Sequence, residues 1–127
     1  VMLPALPTGA DALATHFDHL TEYERTEILQ FSEVSFVGQG AEKQPSNSSA
    51  VESNHGFDDE RGDYNVIQGD HLGYRYEVTG MLGKGSFGQV VQAWDHKNQQ
   101  AVAVKIIRNK QRFHKQVHSP HALHLRR

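Results

Sequence analysis

Gly83-Lys84-Gly85-Ser86-Phe87-Gly88-Gln89-Val90, followed by Val102-Ala103-Val104-Lys105, is the stretch that decides the fold. Three glycines at G-x-G-x-x-G spacing mark a turn where the backbone must come close to something, and by themselves they serve many folds. Context selects among them. A dinucleotide-binding turn opens a helix at its third glycine and carries an acid about 20 residues further on. Here the third glycine leads into Gln89-Val90-Val91-Gln92-Ala93-Trp94, a poor helix start and a good strand, and no Asp or Glu occurs after Asp95. A phosphate loop of the G-x-x-x-x-G-K-[ST] type is excluded as well, because Gly83-Lys84 runs into Gly85 instead of a hydroxyl residue. What remains is a strand, a glycine turn and a second strand.

Residues 74–82, 89–94 and 100–107 have strand composition, the last being dense in β-branched side chains. Residues 83–88 and 95–98 supply the turns, so the simplest arrangement is a three-strand antiparallel meander. Side chains two apart share a face of a strand, which puts Ala103 and Lys105 on one side and Val102, Val104 and Ile106 on the other. A small residue leaves room for a flat base, the lysine reaches that base's phosphates, and Val90 forms the roof. This setting resembles the G-x-G-x-x-G-x-V loop and V-A-x-K strand of protein kinases. The resemblance implies loop amides folded over the phosphates of ATP, with Phe87 capping the tip.

The 127 residues suit a single small unit with limited core material, at 37% apolar side chains, and they contain no cysteine for a disulfide or a thiolate zinc site. No apolar run reaches membrane-spanning length and the start lacks the pattern of a signal peptide, so the expected location is cytoplasmic, with the nucleus open and no membrane partner. Starting on Val1 with Met2 behind it, the sequence reads as a fragment at that end. The net charge of -2 hides an asymmetry: up to Asp95 there are fifteen carboxylates against five basic side chains, and from His96 onward eight basic side chains, five histidines and no carboxylate. A basic end of this kind can attract nucleic acid, but a solvated face is the simpler reading.

Along the chain, residues 1–16 open with Pro4 and Pro7 and are expected to be disordered. Residues 17–37 hold a short helix, signalled by Thr21 and Glu24 at capping-box spacing, with good helix formers through Gln30. Residues 34–37 suggest an extended piece, and residues 38–55 a flexible linker. An acidic turn covers residues 57–64, within a block spanning 56–75, and residues 64–67 suggest a short strand. The acids invite a calcium reading, but the closing glutamate of an EF-hand loop is replaced by Gln68. Residues 76–116 carry the meander and the start of a helix, and residues 117–127 form a divergent basic tail. His114, His118, His121 and His124 could share a helical face as metal ligands, but Pro120 interrupts that helix.

A more specific resemblance rests on four blocks. They are Phe57 to Tyr64, Asp70-His71-Leu72-Gly73-Tyr74-Arg75-Tyr76-Glu77-Val78, the glycine loop, and Ile107-Arg108-Asn109-Lys110-Gln111-Arg112-Phe113-His114. Together they are similar to the dual-specificity tyrosine-phosphorylation-regulated kinases, whose homology box the first two blocks resemble. Residues 20–38 resemble the accessory region of the cytosolic subgroup, nearest its fourth member. The resemblance implies an α+β fold: an incomplete protein-kinase N-lobe preceded by a mostly irregular accessory region. It implies a parent enzyme that uses ATP and magnesium, phosphorylates Ser or Thr of protein substrates, and autophosphorylates tyrosine. The positions carried over to ATP contact are Leu82, Gly83, Lys84, Gly85, Ser86, Phe87, Gly88, Gln89, Val90, Ala103 and Lys105.

Phosphoryl transfer in that family also uses a helix glutamate paired with the strand lysine, a catalytic aspartate and a magnesium-holding aspartate. Residues 96–127 contain no acid, so no catalytic or metal-binding residue is assigned, and the chain alone is expected to be inactive and incompletely folded. The tail from Val117 reads as an alternative exon, a retained intron or a frame change. A rival expectation is a regulatory fragment in which residues 17–80 engage a kinase lobe or chaperone in trans.

Overall fold

The computed structural model describes residues 5–43, 57–59, 62–108 and 124–125. The expected α+β architecture is present, with short helices first and a curled sheet after them. Strands β1 (His71–Leu72), β2 (Tyr76–Gly85), β3 (Gly88–Asp95) and β4 (Gln100–Ile107) pair antiparallel in chain order, and β5 (His124–Leu125) joins β4 in parallel. The meander expected from strand composition is the centre of this sheet. Strand β2 runs further into the glycine segment than its composition suggests, because Gly83 and Gly85 pair with Val90 and Gly88. Register shifts between Val78 and Gly80 and between Met81 and Gly83 are the cost of that extension, and they turn Leu82 outward.

Period-two burial separates the two faces. Val91, Ala93, Val104 and Ile106 pack with Tyr76 and Val78 beneath the sheet, where Phe57, Tyr64 and Leu72 of the homology-box segment complete the core. The alternation at residues 102–106 is as expected, with Val104 and Ile106 buried and Ala103 exposed. Of the strand expected at residues 64–67, only a single bridge between Tyr64 and Asp58 forms. Residues 34–37 form no strand either. The Ser35 and Phe36 N–H groups both donate to the Tyr74 carbonyl, at 2.9 and 3.1 Å, which holds the segment against the sheet without a ladder.

The expectation of disorder through residue 16 is overturned by α1 (Gly9–His16). Pro7 lies ahead of the cap, where a missing N–H costs nothing, and Thr8 with Asp11 makes a reciprocal capping box, at 3.2 and 3.3 Å. Gly9 sits so close to the next helical segment that a Cβ would overlap the Ile28 carbonyl. The expected helix after Thr21 is present as α2 (Glu24–Glu27) extended by a 3-10 turn, Ile28–Gln30. Ala12, Leu20, Ile28, Val34 and Val37 close on Tyr74 as a second core. The ring of Phe36 stacks on His96 with centroids 4.2 Å apart, so the accessory region also touches the β3–β4 turn.

Of the expected linker, residues 38–43 are ordered: Ala41 N–H closes a turn on Gly38, and Lys43 is half-buried in an ion pair described below. Residues 44–55, most of the expected first lobe helix, and His114, His118 and His121 lie outside the described residues. Within the described residues no helix is long and apolar enough to cross a membrane.

Candidate functional site

Strands β2 and β3 bring the glycine loop to the open face of the sheet. Val90 is the direct cross-strand partner of Gly83 on one side and of Lys105 on the other, and Ala103 pairs with Gln92. The Lys105 ammonium therefore emerges beside Val90 and reaches up to the loop tip, where it lies 4.4 Å from the centre of the Phe87 ring. Among the described residues no carboxylate pairs with it. Leu82, 58% exposed, adds an apolar side chain where β2 enters the loop.

The three glycines are required for different reasons. Gly88 has φ +143, and a Cβ there would overlap the Ile106 carbonyl oxygen and come within 2.9 Å of the Arg108 nitrogen. Gly85 faces the flexible Phe87 ring, at 2.9 Å from the position of a Cβ. Gly83 meets nothing within 4 Å. Folding thus dictates Gly88, while the space over Gly83 is left for something outside the chain. Gln89 is turned away from this face: its side chain is buried and donates to the Tyr64 carbonyl at 2.8 Å. It can meet a ligand on the open face only through its backbone.

A buried polar cluster joins the accessory region to the homology box, and it was not legible as a site in the sequence. Glu24 is fully buried and accepts hydrogen bonds from the Thr21 N–H at 3.0 Å, from Lys43 Nζ at 2.8 Å and from His71 Nε2. The Tyr74 N–H donates to His71 Nδ1 at 3.0 Å, which fixes the ring proton on Nε2, the atom facing Glu24. The Tyr74 hydroxyl donates to Glu27 at 2.6 Å and its ring stacks on His71. Glu24, Asp70 and His71 offer ligand atoms within 4.8 Å of one another. Lys43 Nζ, 2.8 Å from Glu24 and 3.8 Å from Asp70, already supplies the positive charge there. With that ammonium in place the cluster is a salt-bridged joint between α2 and His71.

Arg75 forks onto Asp95 at 2.9 and 2.8 Å. Those bonds, aided by the Asn98 and Lys97 N–H groups and opposed by burial, lower the Asp95 pKa from 3.8 to about 2. A carboxylate whose pKa falls on folding stabilises the fold above its unfolded pKa and stops doing so as pH drops through the folded value. The thermal midpoint is therefore expected to fall between about pH 4 and pH 2 for this reason. Since Arg75 is one-third exposed, solvent screening leaves roughly 1 to 2 kcal/mol of effect. Asp95→Asn should remove that part of the acid slope in melts recorded between pH 5 and pH 2. An unchanged slope would exclude the pair as its source.

No family model matches the chain. Individual relatives do. The chain is 50% identical over 106 residues to the dual specificity tyrosine-phosphorylation-regulated kinase mbk-2 of Caenorhabditis briggsae, an alignment covering 84% of this chain and 13% of that protein. It is 54% identical over 98 residues to the DYRK-family kinase pom1 of Schizosaccharomyces pombe, covering 76% and 9%. Against dual specificity tyrosine-phosphorylation-regulated kinase 3 of Rattus norvegicus the figures are 46% over 115 residues, covering 91% and 19%. The chain belongs to the dual-specificity tyrosine-phosphorylation-regulated kinase family. It spans between 9% and 19% of the length of these relatives. Within this kinase family segment, the fold places Tyr64, His71 and Tyr74 against both the N-terminal helices and the sheet.

Proposed function

We propose that the loop and its three strands form the phosphate-clamping part of an ATP site, the nucleotide-binding portion of a dual-specificity kinase lobe. The parent enzyme transfers the γ-phosphate of ATP, with magnesium, to Ser or Thr of protein substrates in the cytoplasm or nucleus. These 127 residues bind nucleotide without transferring phosphate, since none of the acids that phosphoryl transfer uses follows Lys105. The observation that carries the reading is Lys105 Nζ, aimed at the loop tip from the open face beside Val90, under a glycine whose surroundings are empty.

The chemistry follows from charge and distance. A triphosphate entering between the loop and β4 displaces the Phe87 ring from the ammonium and gains a charge-assisted hydrogen bond in its place. The loop amides add neutral donors, and the apolar edge at Val90, Ala103 and Leu82 suits a flat base. The test is equilibrium titration of the chain with ATP and with adenosine. Lys105→Ala is expected to weaken ATP roughly tenfold and leave adenosine within about twofold. Equal ATP affinity in the variant, or no ATP binding by the unaltered chain, overturns the reading.

Engagement of a kinase lobe or chaperone in trans is less well supported. The contacts of Glu24 on His71, Glu27 on Tyr74 and Tyr23 on Phe57 all lie within residues 17–80, so a partner in trans would have to use the outer surface of that segment.

A further inference from the structure

The two ends of the glycine loop are held differently. At its opening end β2 is bulged on both sides of Met81, and although Gly83 pairs with Val90, no described residue lies within 4 Å of where its Cβ would be. At its closing end the chain is bonded on either side of Gly88, to Arg108 just after β4 and to Tyr64 of the homology box. The Phe87 carbonyl accepts from the Arg108 N–H at 2.8 Å, and Gln89 Nε2 donates to the Tyr64 carbonyl at 2.8 Å. The Arg108 guanidinium forks onto Asp63, with Nε to Oδ1 at 2.8 Å and Nη2 to Oδ2 at 3.1 Å, and the Asp63 side chain is 2% exposed. Asp63 is itself fixed by its neighbours: its N–H donates to the Asp59 carboxylate at 2.9 Å, and its carbonyl accepts from the Asp59 N–H at 2.8 Å.

A bidentate arginine–carboxylate pair is directional as well as charged, so it holds an orientation that a single contact leaves loose. From Asp63 the constraint passes through Arg108 to the Phe87 carbonyl, and the Phe87 ring lies over Lys105. We infer that Asp63 is a positioning residue for the phosphate clamp: with Arg108 it anchors the closing end of the loop above Lys105, and the unanchored β2 side is the part that moves to admit a triphosphate. The inference rests on the ATP reading of the site. It assigns the acidic turn of the homology box a role in nucleotide affinity, although Asp63 touches no nucleotide.

The experiment compares the unaltered chain, Asp63→Asn, Arg108→Lys and the charge-swapped pair Asp63→Arg/Arg108→Asp. Each is titrated with ATP and adenosine, and amide hydrogen exchange is followed at Arg108 and at residues 86–89. Both single variants are expected to exchange about tenfold faster there and to bind ATP roughly tenfold more weakly, with adenosine within about twofold and recovery in the swapped pair. If the exchange rates do not move, or if ATP and adenosine weaken equally, the positioning role is refuted. A chain that shows no preference for ATP over adenosine refutes the nucleotide reading, and the exchange rates then still decide whether the anchor exists. Should Asp63→Asn fail to fold, Arg108→Lys carries both readouts, because it keeps the charge and loses only the fork.

Discussion

Replacing Glu24 with alanine is expected to lower the stability of the folded chain by about 3 to 5 kcal/mol, the range for breaking a buried ion pair by removing one partner. The size follows from what is left behind. Lys43 loses its 2.8 Å partner while its side chain remains only 10% exposed, and the fully buried His71 loses the carboxylate that its Nε2 faces. The capping bond from the Thr21 N–H goes as well. Natural domains are stable by only about 5 to 15 kcal/mol, so a loss of this size removes a large share of the total. Urea unfolding followed by far-ultraviolet circular dichroism reads it as a lower midpoint. Removing all three charged or polar partners together, as Glu24→Leu, His71→Phe and Lys43→Met, is expected to recover only part of the loss, because the Tyr74 N–H then loses its bond to His71 Nδ1, and Asp70 and the Val37 carbonyl lose Lys43. A single variant within 1 kcal/mol of the unaltered chain would mean that water reaches this cluster, contrary to its burial.

The sheet was legible in the sequence because its signals are local. β-branched residues 100–107 and the apolar run after Gly88 specify strands by composition, and period two at Val104 and Ile106 specifies the core face. Thr21 and Glu24 announced α2 through a capping box three residues apart, and the structure contains both bonds at 3.0 and 3.2 Å. Thr8 and Asp11 stand at a similar spacing, and the expectation of disorder drawn from Pro4 and Pro7 passed over them, although Pro7 stands outside the helix. What composition could not show is that the Glu24 side chain does two things at once. It caps its own helix and meets His71, 47 residues away, and that second role depends on how the accessory region docks. Asp63 and Arg108 escaped notice for the same reason. An acid in a turn and an arginine after a strand have no sequence pattern in common, and only the pairing of Gly88 with Ile107 brings them together.

Gly88→Ala and Gly83→Ala should separate the demands of folding from those of binding. At Gly88 the added methyl group would overlap a backbone carbonyl of β4, which cannot rotate aside as a side chain could, and the residue would have to hold φ at +143. Relief requires the start of β3 to move off β4, and with it go the bonds from Arg108 to Phe87 and from Gln89 to Tyr64. The expected cost is about 3 kcal/mol or more, seen as a lower thermal midpoint with or without nucleotide. Gly83 presents the opposite case. Its methyl group would enter open space, and alanine loses less backbone entropy on folding than glycine, so the midpoint should stay within about 0.5 kcal/mol of the parent or rise slightly. Any loss of ATP affinity in Gly83→Ala then belongs to the ligand, because no described residue comes within 4 Å of the added methyl group. If Gly88→Ala melts at the parent temperature, the close approach of the loop to β4 is wrong; if Gly83→Ala binds ATP as the parent does, the empty space above it is not where the phosphates go.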